Sequence, residues 1–481
     1  SILMKKKVLV VGSGPAAYGS LMYLQKNKDL EITLIDNSYL NNVKKNKNSC
    51  VFESKFIDGT RVSENFKVFE ENNFENKSNI KSSKAFGGFS NVWGGTFSSL
   101  DPASLKAFND INIDIEKYLL IIKKFIPKKT YLSKNTEDLI IKPSQNTIRL
   151  YEKINSSLFP ETNAEYSSIA ITNEIKESAI NKEKCDSCGQ PKWTCDLNSI
   201  WSSVNPIKKL IENNQIKYLS NTRLVSFKEE NSKVICDLEQ KENQIKIEFD
   251  KVFLGAGVLN SSIIMINSGV THKVKIKISE MINYPVLLMY KNVKKLDSFA
   301  DLFINHRKGD NSYFLQFYFF SKTLSKFAED NFSFSKILRF IPNWIMQYTG
   351  GIFVYFDSKI SNNVEVFKND ENRIEVENIL NQNSLELQKG LKEITTLLRK
   401  LKIFTLPNLK TNYFFGKSYH FGSQFPHAEK PSKNESDILG RLNGIKNVHI
   451  IDSSVLPVVN VGSITPTIIA NSYRITMESI N

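Results

Sequence analysis

Cysteine is scarce in this chain, with five in 481 residues. That excludes a disulfide-stapled scaffold and, with no export signal in view, leads us to expect a reducing cytoplasm. Long apolar runs are missing too. No stretch reaches the roughly 18 apolar residues of a membrane span, so none is expected. There is no internal repeat, which excludes a solenoid. No RNA- or DNA-binding motif occurs, so nucleic acid is set aside as a partner. Acidic residues fall short of basic ones, 50 against 64, for a net charge of +14. Such a balance reads either as a Lys- and Asn-rich surface or as a contact for anionic membrane or phosphorylated ligands. A hydrophobic share of 41% is ordinary for a globular protein of two or three domains or one large two-part enzyme.

Lys5-Lys6-Lys7 followed by apolar residues has the look of a secretory leader. However, Gly-Ser-Gly-Pro breaks the apolar run after Val8–Val11, so a first strand is the better reading, with Met4 as the natural start. That strand runs into Gly12-Ser13-Gly14-Pro15-Ala16-Ala17, a helix through Leu24, and a second strand, Glu31–Ile35, ending in Asp36. This is the dinucleotide fingerprint in full context. Gly12 permits the tight turn and Gly14 lets backbone approach a pyrophosphate on the helix N-terminus. Ala17 keeps helix and strand close, and Asp36 is placed to accept from a ribose.

Further along, 41–84 reads as loop with short elements. Gly87-Gly88-Phe89-Ser90-Asn91-Val92-Trp93-Gly94-Gly95 predicts backbone held close to a ligand. Residues 101–165 read as helical, and 216–227 and 233–255 as strands. The second ends in Phe253-Leu254-Gly255-Ala256-Gly257, a glycine turn feeding a helix over 261–267. Residues 275–405 form a distinct block. Within it, 313–356 is dense in Phe, Tyr and Trp, with a helix predicted over 333–341 whose Phe334, Ile337, Leu338 and Ile341 share a face. An aromatic core and a membrane-surface grip are both open there.

The C-terminal part holds His420 in Ser418-Tyr419-His420-Phe421-Gly422, then Asp452-Ser453-Ser454, then Ser463-Ile464-Thr465-Pro466-Thr467 at the head of a last helix. With the N-terminal GSGPAA, GGFSNVWGG and FLGAGVLNSS, in that order, the chain resembles the glucose–methanol–choline family of FAD-dependent oxidoreductases. The resemblance implies a doubly wound α/β FAD-binding (Rossmann-like) domain, from 4–100, 190–272 and 410–481, and a substrate domain of mixed sheet plus helices, from 101–189 and 273–409. It implies FAD as cofactor, with Gly12, Ser13, Gly14, Pro15, Ala16 and Ala17 at the pyrophosphate and Asp36 at the adenosine ribose. Gly88, Ser90, Asn91, Trp93 and Gly94 match the stretch toward the flavin. Leu224 matches the adenine contact, Ala256 and Gly257 the turn near the nucleotide, Asp452 and Ser453 the ribityl segment, and Pro466 and Thr467 the helix start facing the pyrimidine ring.

His420 matches the family's catalytic histidine, which takes the proton of an alcohol as hydride leaves for flavin N5. The second catalytic position, usually Asn or His, is occupied here by Ser463 and Thr465, whose hydroxyls can hydrogen-bond but are poorer bases. His427 is a candidate to compensate; His449 reads as structural, and His272 and His306 carry no signal. Cys185-x2-Cys188 and Cys195 have a ferredoxin-like spacing with Pro191 in the third place, so they read either as a residual metal site or as free thiols. Some glycan-cluster members of the family look similar here, with a Cys-rich stretch before an Ile-Tyr/Trp-Ser segment, which is Ile200-Trp201-Ser202 in this chain. That implies a sugar or sugar-conjugate alcohol as substrate, phosphorylated, nucleotide-linked or lipid-linked. The electron acceptor stays open. Two rivals are kept: a non-redox or reductive FAD-dependent sugar mutase or isomerase, and a peripheral membrane protein with a vestigial nucleotide fold.

Overall fold

The computed structural model describes residues 5–38, 74–78, 80, 82–83, 85–91, 93–126, 129–130, 145–170, 200–241, 243–288, 300–319, 343–379, 384–405 and 418–480. Its central sheet has five parallel strands in the order Val448–Ile450, Lys251–Leu254, Lys6–Val11, Leu30–Ile35, Lys217–Leu219. Val8–Val11 is apolar throughout because a neighbour lies on each side and both faces are covered. Val10 pairs with Leu34 on one side and Phe253 on the other. The strand order reverses at this first strand, which opens a crevice beyond Val11. Open α/β sheets take their ligands at such a switch point.

The first helix, Pro15–Leu24, lies against the C-terminal helix, Ile464–Ile480. Gly19 permits the approach, since a Cβ there would stand 2.4 Å from the Ile469 carbonyl oxygen. The Ser472 hydroxyl bonds the Ala16 carbonyl at 2.5 Å. The two ends of the chain thus form one body around the crevice.

A six-stranded antiparallel sheet forms the second part, in the order Phe404–Thr405, Met281–Leu287, Thr349–Phe356, Asn311–Phe319, Leu302–Lys308, Thr162–Tyr166. Alternation gives it two faces. Leu302, Ile304, Leu315, Ile352 and Val354 pack under Leu391, Ile394 and Leu398 of the helix Ser384–Lys400. Phe303, Phe314 and Tyr355 form a separate cluster with Val461, from the loop before the C-terminal helix. A further five-stranded sheet includes Phe421–Gly422, Lys273–Ile278 and Asn363–Lys368 and carries His420 beside its edge.

The α/β class with a parallel sheet and a second sheet-and-helix part is as the sequence predicted. Two local readings are corrected. Residues 101–165 hold the helices Pro102–Asn109, Ile115–Ile122 and Gln145–Ile154, but Thr162–Tyr166 is a strand, held by pairing to Leu302–Lys308. Residues 233–255 are not one strand but three, Lys233–Gln240, Asn243–Phe249 and Lys251–Leu254. A turn at Lys241, with φ 47°, separates the first two. Among the described residues no helix is long and apolar enough to cross a membrane. The predicted helix over 333–341 and Cys185, Cys188 and Cys195 lie outside the described residues.

Candidate active site

The glycine turn and the segments around it are tied together by hydroxyls. Gly12 has φ 93°, and a Cβ there would stand 2.4 Å from the Gly255 carbonyl oxygen, so the ends of Lys6–Val11 and Lys251–Leu254 meet only over a glycine. Gly14 caps the first helix without any side-chain bond, and Pro15 opens it; no acid occupies the first turn. A Cβ on Gly14 would meet nothing within 4 Å. The helix N-terminus is therefore uncrowded and suited to an anion. Ala16 and Ala17 are buried on the core side.

Asp36 ends the second strand. Its carboxylate accepts from the Ser13 hydroxyl at 2.6 Å and from the Ser38 hydroxyl, and burial raises its pKa. The ribose expected there would have to replace these two hydroxyls. The Ser13 hydroxyl also accepts the Gly87 amide at 2.8 Å. Ser203, which the sequence reading did not select, donates to the Ser13 carbonyl at 2.9 Å and lies 3.0 Å from the Ser90 hydroxyl. Its only sequence signal was its place next to Ile200-Trp201-Ser202.

The second glycine turn is a short 3-10 helix, Gly88–Asn91. Gly88, with φ 55°, would place a Cβ 3.5 Å from the Gly14 Cα, so the two turns nearly touch. Asn91 holds the turn, donating to the Phe86 and Gly88 carbonyls at 2.9 Å each. The Trp93 indole donates to the Trp201 carbonyl at 2.7 Å. Gly94 is half-buried beside Gly95, whose φ is 62°. Leu224 is buried at a bulge in the strand Thr222–Glu230.

Asp452 joins three segments. One oxygen accepts the Gly257 amide at 2.9 Å and the Ser261 hydroxyl at 2.6 Å; the other takes the Ser454 amide at 3.0 Å and its hydroxyl. Burial raises its pKa. Ala256 and Gly257, the latter with φ 83°, thus sit directly against the Asp452 turn. Ser453 donates to the Phe421 carbonyl at 2.9 Å, which fixes the backbone next to His420.

His420 is buried. Its imidazole stacks on Tyr355 of the second sheet, centroids 4.3 Å apart and planes 14° from parallel. Burial pushes its pKa down to about 4, against the opposing effect of backbone bonds at Val461 and Asn460. Nδ1 is buried without a partner. We assign the ring N–H to Nε2, which leaves the unpartnered Nδ1 as the lone-pair acceptor.

Ser463 exchanges bonds with Ser98. Its hydroxyl accepts the Ser98 amide at 3.0 Å, its amide donates to the Ser98 hydroxyl at 2.8 Å, and Thr96 stands 3.2 Å away. Thr465 is half-buried in the first turn of the C-terminal helix. Pro466 is buried, and Thr467 accepts from the Asn460 amide group at 2.8 Å. His420 and Ser463 thus converge on the loop 459–463.

The other histidines lie elsewhere. His427 is held between the Asp437 carbonyl, at 2.7 Å, and Asn471, at 3.1 Å. His449 bonds the Leu439 carbonyl at 2.9 Å and stacks on Phe253. Burial lowers both to about 3. His427 is taken up by this packing, which corrects its reading as a compensating base. His306 sits on the helix side of the second sheet, 2.9 Å from the Thr162 hydroxyl and 3.2 Å from Glu393. Among the described residues no group of three metal-ligating side chains occurs.

An FAD would find a fitting set of residues here: an uncapped helix N-terminus, two glycine turns in near contact, and a carboxylate held by the hydroxyls and backbone of Ser13 and Ser38. No protein-family model matches this chain, and no curated protein matches it in sequence. Among solved structures it is similar to the crystal structure of pyridoxine 4-oxidase from Mesorbium loti, at a TM-score of 0.62 and 12% identity, over 98% of this chain and 99% of that one. At that identity the likeness establishes the fold.

Proposed function

We propose that this chain binds FAD in the crevice beyond Val11 and oxidises the hydroxyl of a small-molecule alcohol to a carbonyl, with His420 as base. The observation that carries the reading is the buried, neutral imidazole with an unpartnered Nδ1. Bound there, FAD would supply the hydride acceptor. The Gly12–Ala17 turn would hold the pyrophosphate through its backbone amides, and Asp36 would turn from Ser13 and Ser38 to the ribose. Leu224 would meet the adenine. Gly88 to Gly94, the Ala256-Gly257 turn, Asp452 and Ser453 would line the path toward the reacting end, where Pro466 and Thr467 begin the last helix.

His420 takes the hydroxyl proton at Nδ1 and holds it while Tyr355 keeps its ring in plane and water away. Thr465, or Ser463 on turning its hydroxyl from Thr96, would steady the substrate oxygen as a hydrogen-bond donor. We assign the substrate part to 101–189 and 273–409 and the rest to the nucleotide part. A sugar or sugar conjugate is the finer proposal for the alcohol, because aromatic faces stack on sugar rings.

The test begins with the visible spectrum of the purified protein. A flavin spectrum, bleached without oxygen by an alcohol, is the expected result. His420→Ala should keep the colour and slow bleaching at least about 100-fold. Failure to bind FAD removes the cofactor assignment; undiminished bleaching in the variant removes the base.

A further inference from the structure

One cross-strand row of the second sheet leads away from His420. Met281 pairs with Tyr355, Tyr355 with Phe314, and Phe314 with Asn305. The alternation places all four on the face that turns from the helix Ser384–Lys400, because their neighbours Ile282, Val354, Leu315 and Ile304 are in the core beneath that helix. The row is anchored at the reacting end by the stack of Tyr355 on His420. Tyr355 and Phe314 follow one another with ring centroids 6.2 Å apart. Asn305 then stands two strand spacings, about 10 Å, from Tyr355.

Polar atoms along this path are left open. The Asn305 Oδ1, the His420 Nδ1 and the Asn460 Oδ1 are buried and have no partner. The two amide oxygens are acceptors, and Nδ1 is one in the tautomer assigned above. A buried acceptor left unpaired is costly, and a ligand bringing an O–H or N–H recovers that cost. The row itself has no charged residue. The next row pairs Phe353 with Gln316, Gln316 with Phe303, and Phe303 with Glu165, an acid that accepts from Ser99. Arg307 lies on the same face but at the exposed end of its strand, donating to the Gly309 carbonyl. Among the described residues, nothing along the row would balance an anion.

We propose that Tyr355, Phe314 and Asn305 form a substrate subsite for an uncharged, ring-bearing alcohol: the two aromatic side chains take the ring, and the Asn305 carbonyl accepts from a second hydroxyl at its far end. The proposal rests on the alcohol-oxidation reading for the reacting end only. It moves the substrate away from alcohols phosphorylated near the reacting ring, and it makes Asn305 a specificity residue.

The experiment uses the FAD-bound full chain and two probes, cyclohexylmethanol and 1,4-cyclohexanedimethanol, which differ only in the second hydroxymethyl group. Two quantities are read: the half-saturating concentration from the perturbation of the flavin spectrum on binding, and the anaerobic bleaching rate. The diol is expected to bind at least about tenfold more tightly than the mono-alcohol, the worth of one good hydrogen bond to a buried acceptor. Asn305→Leu should abolish that preference. Asn305→Asp, which keeps an acceptor in the same place, should restore a preference for the diol. Equal binding of the two alcohols by the wild type, no binding of either, or a preference that survives Asn305→Leu overturns the subsite. Diol-selective binding without bleaching leaves the subsite standing and removes the oxidation reading instead.

Discussion

Tyr355 lies face to face with His420, ring centroids 4.3 Å apart and planes within 14° of parallel. Tyr355 belongs to the six-stranded sheet and His420 adjoins the edge of another, so the stack ties the two together at the point where chemistry is proposed. It also explains the low pKa, since one face of the imidazole has no access to water and burial pushes the value down to about 4. The base is then neutral through the whole neutral range. Bleaching rates should be flat from pH 8 down to about 5 and fall only toward the pKa of about 4. Tyr355→Ala would admit water to the ring and move that acid limb up toward about 6.5, the ordinary imidazole value. Tyr355→Phe would keep the limb in place. Stopped-flow reduction against pH reads both.

Stability should fall in acid for a related reason. His420, His427 and His449 are buried with pKa values of about 4, 3 and 3. Their unfolded values are about 6.5. Below that point only the unfolded chain takes up these protons, so stability present at neutral pH is lost as pH falls, by at most about 1.4 kcal/mol per pH unit for each histidine. Buried Asp36 and Asp452 have raised values and act in the opposite direction just above the ordinary carboxylate range. His449→Phe isolates the histidine part: its stability, measured by urea unfolding between pH 7 and 5, should depend less steeply on pH than that of the wild type. An unchanged slope would falsify the assignment of His449 as a neutral core residue.

What the sequence made legible was local. Val8 to Asp36 is a contiguous strand-turn-helix-strand, and its glycines, proline and terminal acid carry positional meaning without help from the rest of the chain. Thr162–Tyr166 was hidden because Thr-Asn-Ala-Glu-Tyr has little apolar content, and its pairing partner lies about 140 residues downstream. Ser203 was passed over because a serine announces nothing until Ser13, Gly87 and Ser90 are seen around it. Ser463 carried a catalytic expectation, yet its hydrogen bonds run to Ser98, a contact across 365 positions that no periodicity encodes. Tyr355 lay in the stretch whose aromatic density had two readings. Its pairing with Met281 and Phe314 puts it on the wall of the proposed site.

Asp452 gathers bonds from Gly257, Ser261 and Ser454 while fully buried. Asp452→Ala would leave two backbone amides and two hydroxyls without this acceptor. The expected loss is about 3–5 kcal/mol, the range for breaking a buried charged network on one side. Asp452→Asn can still accept the Gly257 amide through its carbonyl, so it should lose about half as much. Equilibrium denaturation of the two variants gives the comparison, and equal losses would mean that the charge rather than the geometry holds the turn.

Gly12 and Gly14 separate folding from cofactor binding. At Gly12, with φ 93°, an added Cβ would meet the Gly255 carbonyl oxygen at 2.4 Å. Gly12→Ala therefore pries apart Lys6–Val11 and Lys251–Leu254 and strains the backbone, at a cost of about 1–3 kcal/mol for each effect. Gly14 has φ −74°, open space where a Cβ would stand, and the uncapped helix N-terminus beside it. Gly14→Ala should thus leave the melting temperature of the FAD-free chain within about 2 °C of wild type. The same methyl group would stand where a pyrophosphate must approach the backbone. The FAD content of the purified protein should drop by at least about tenfold, with weaker rebinding in a fluorescence titration. A Gly14→Ala variant that is stable and still fully loaded would place the nucleotide somewhere other than this turn.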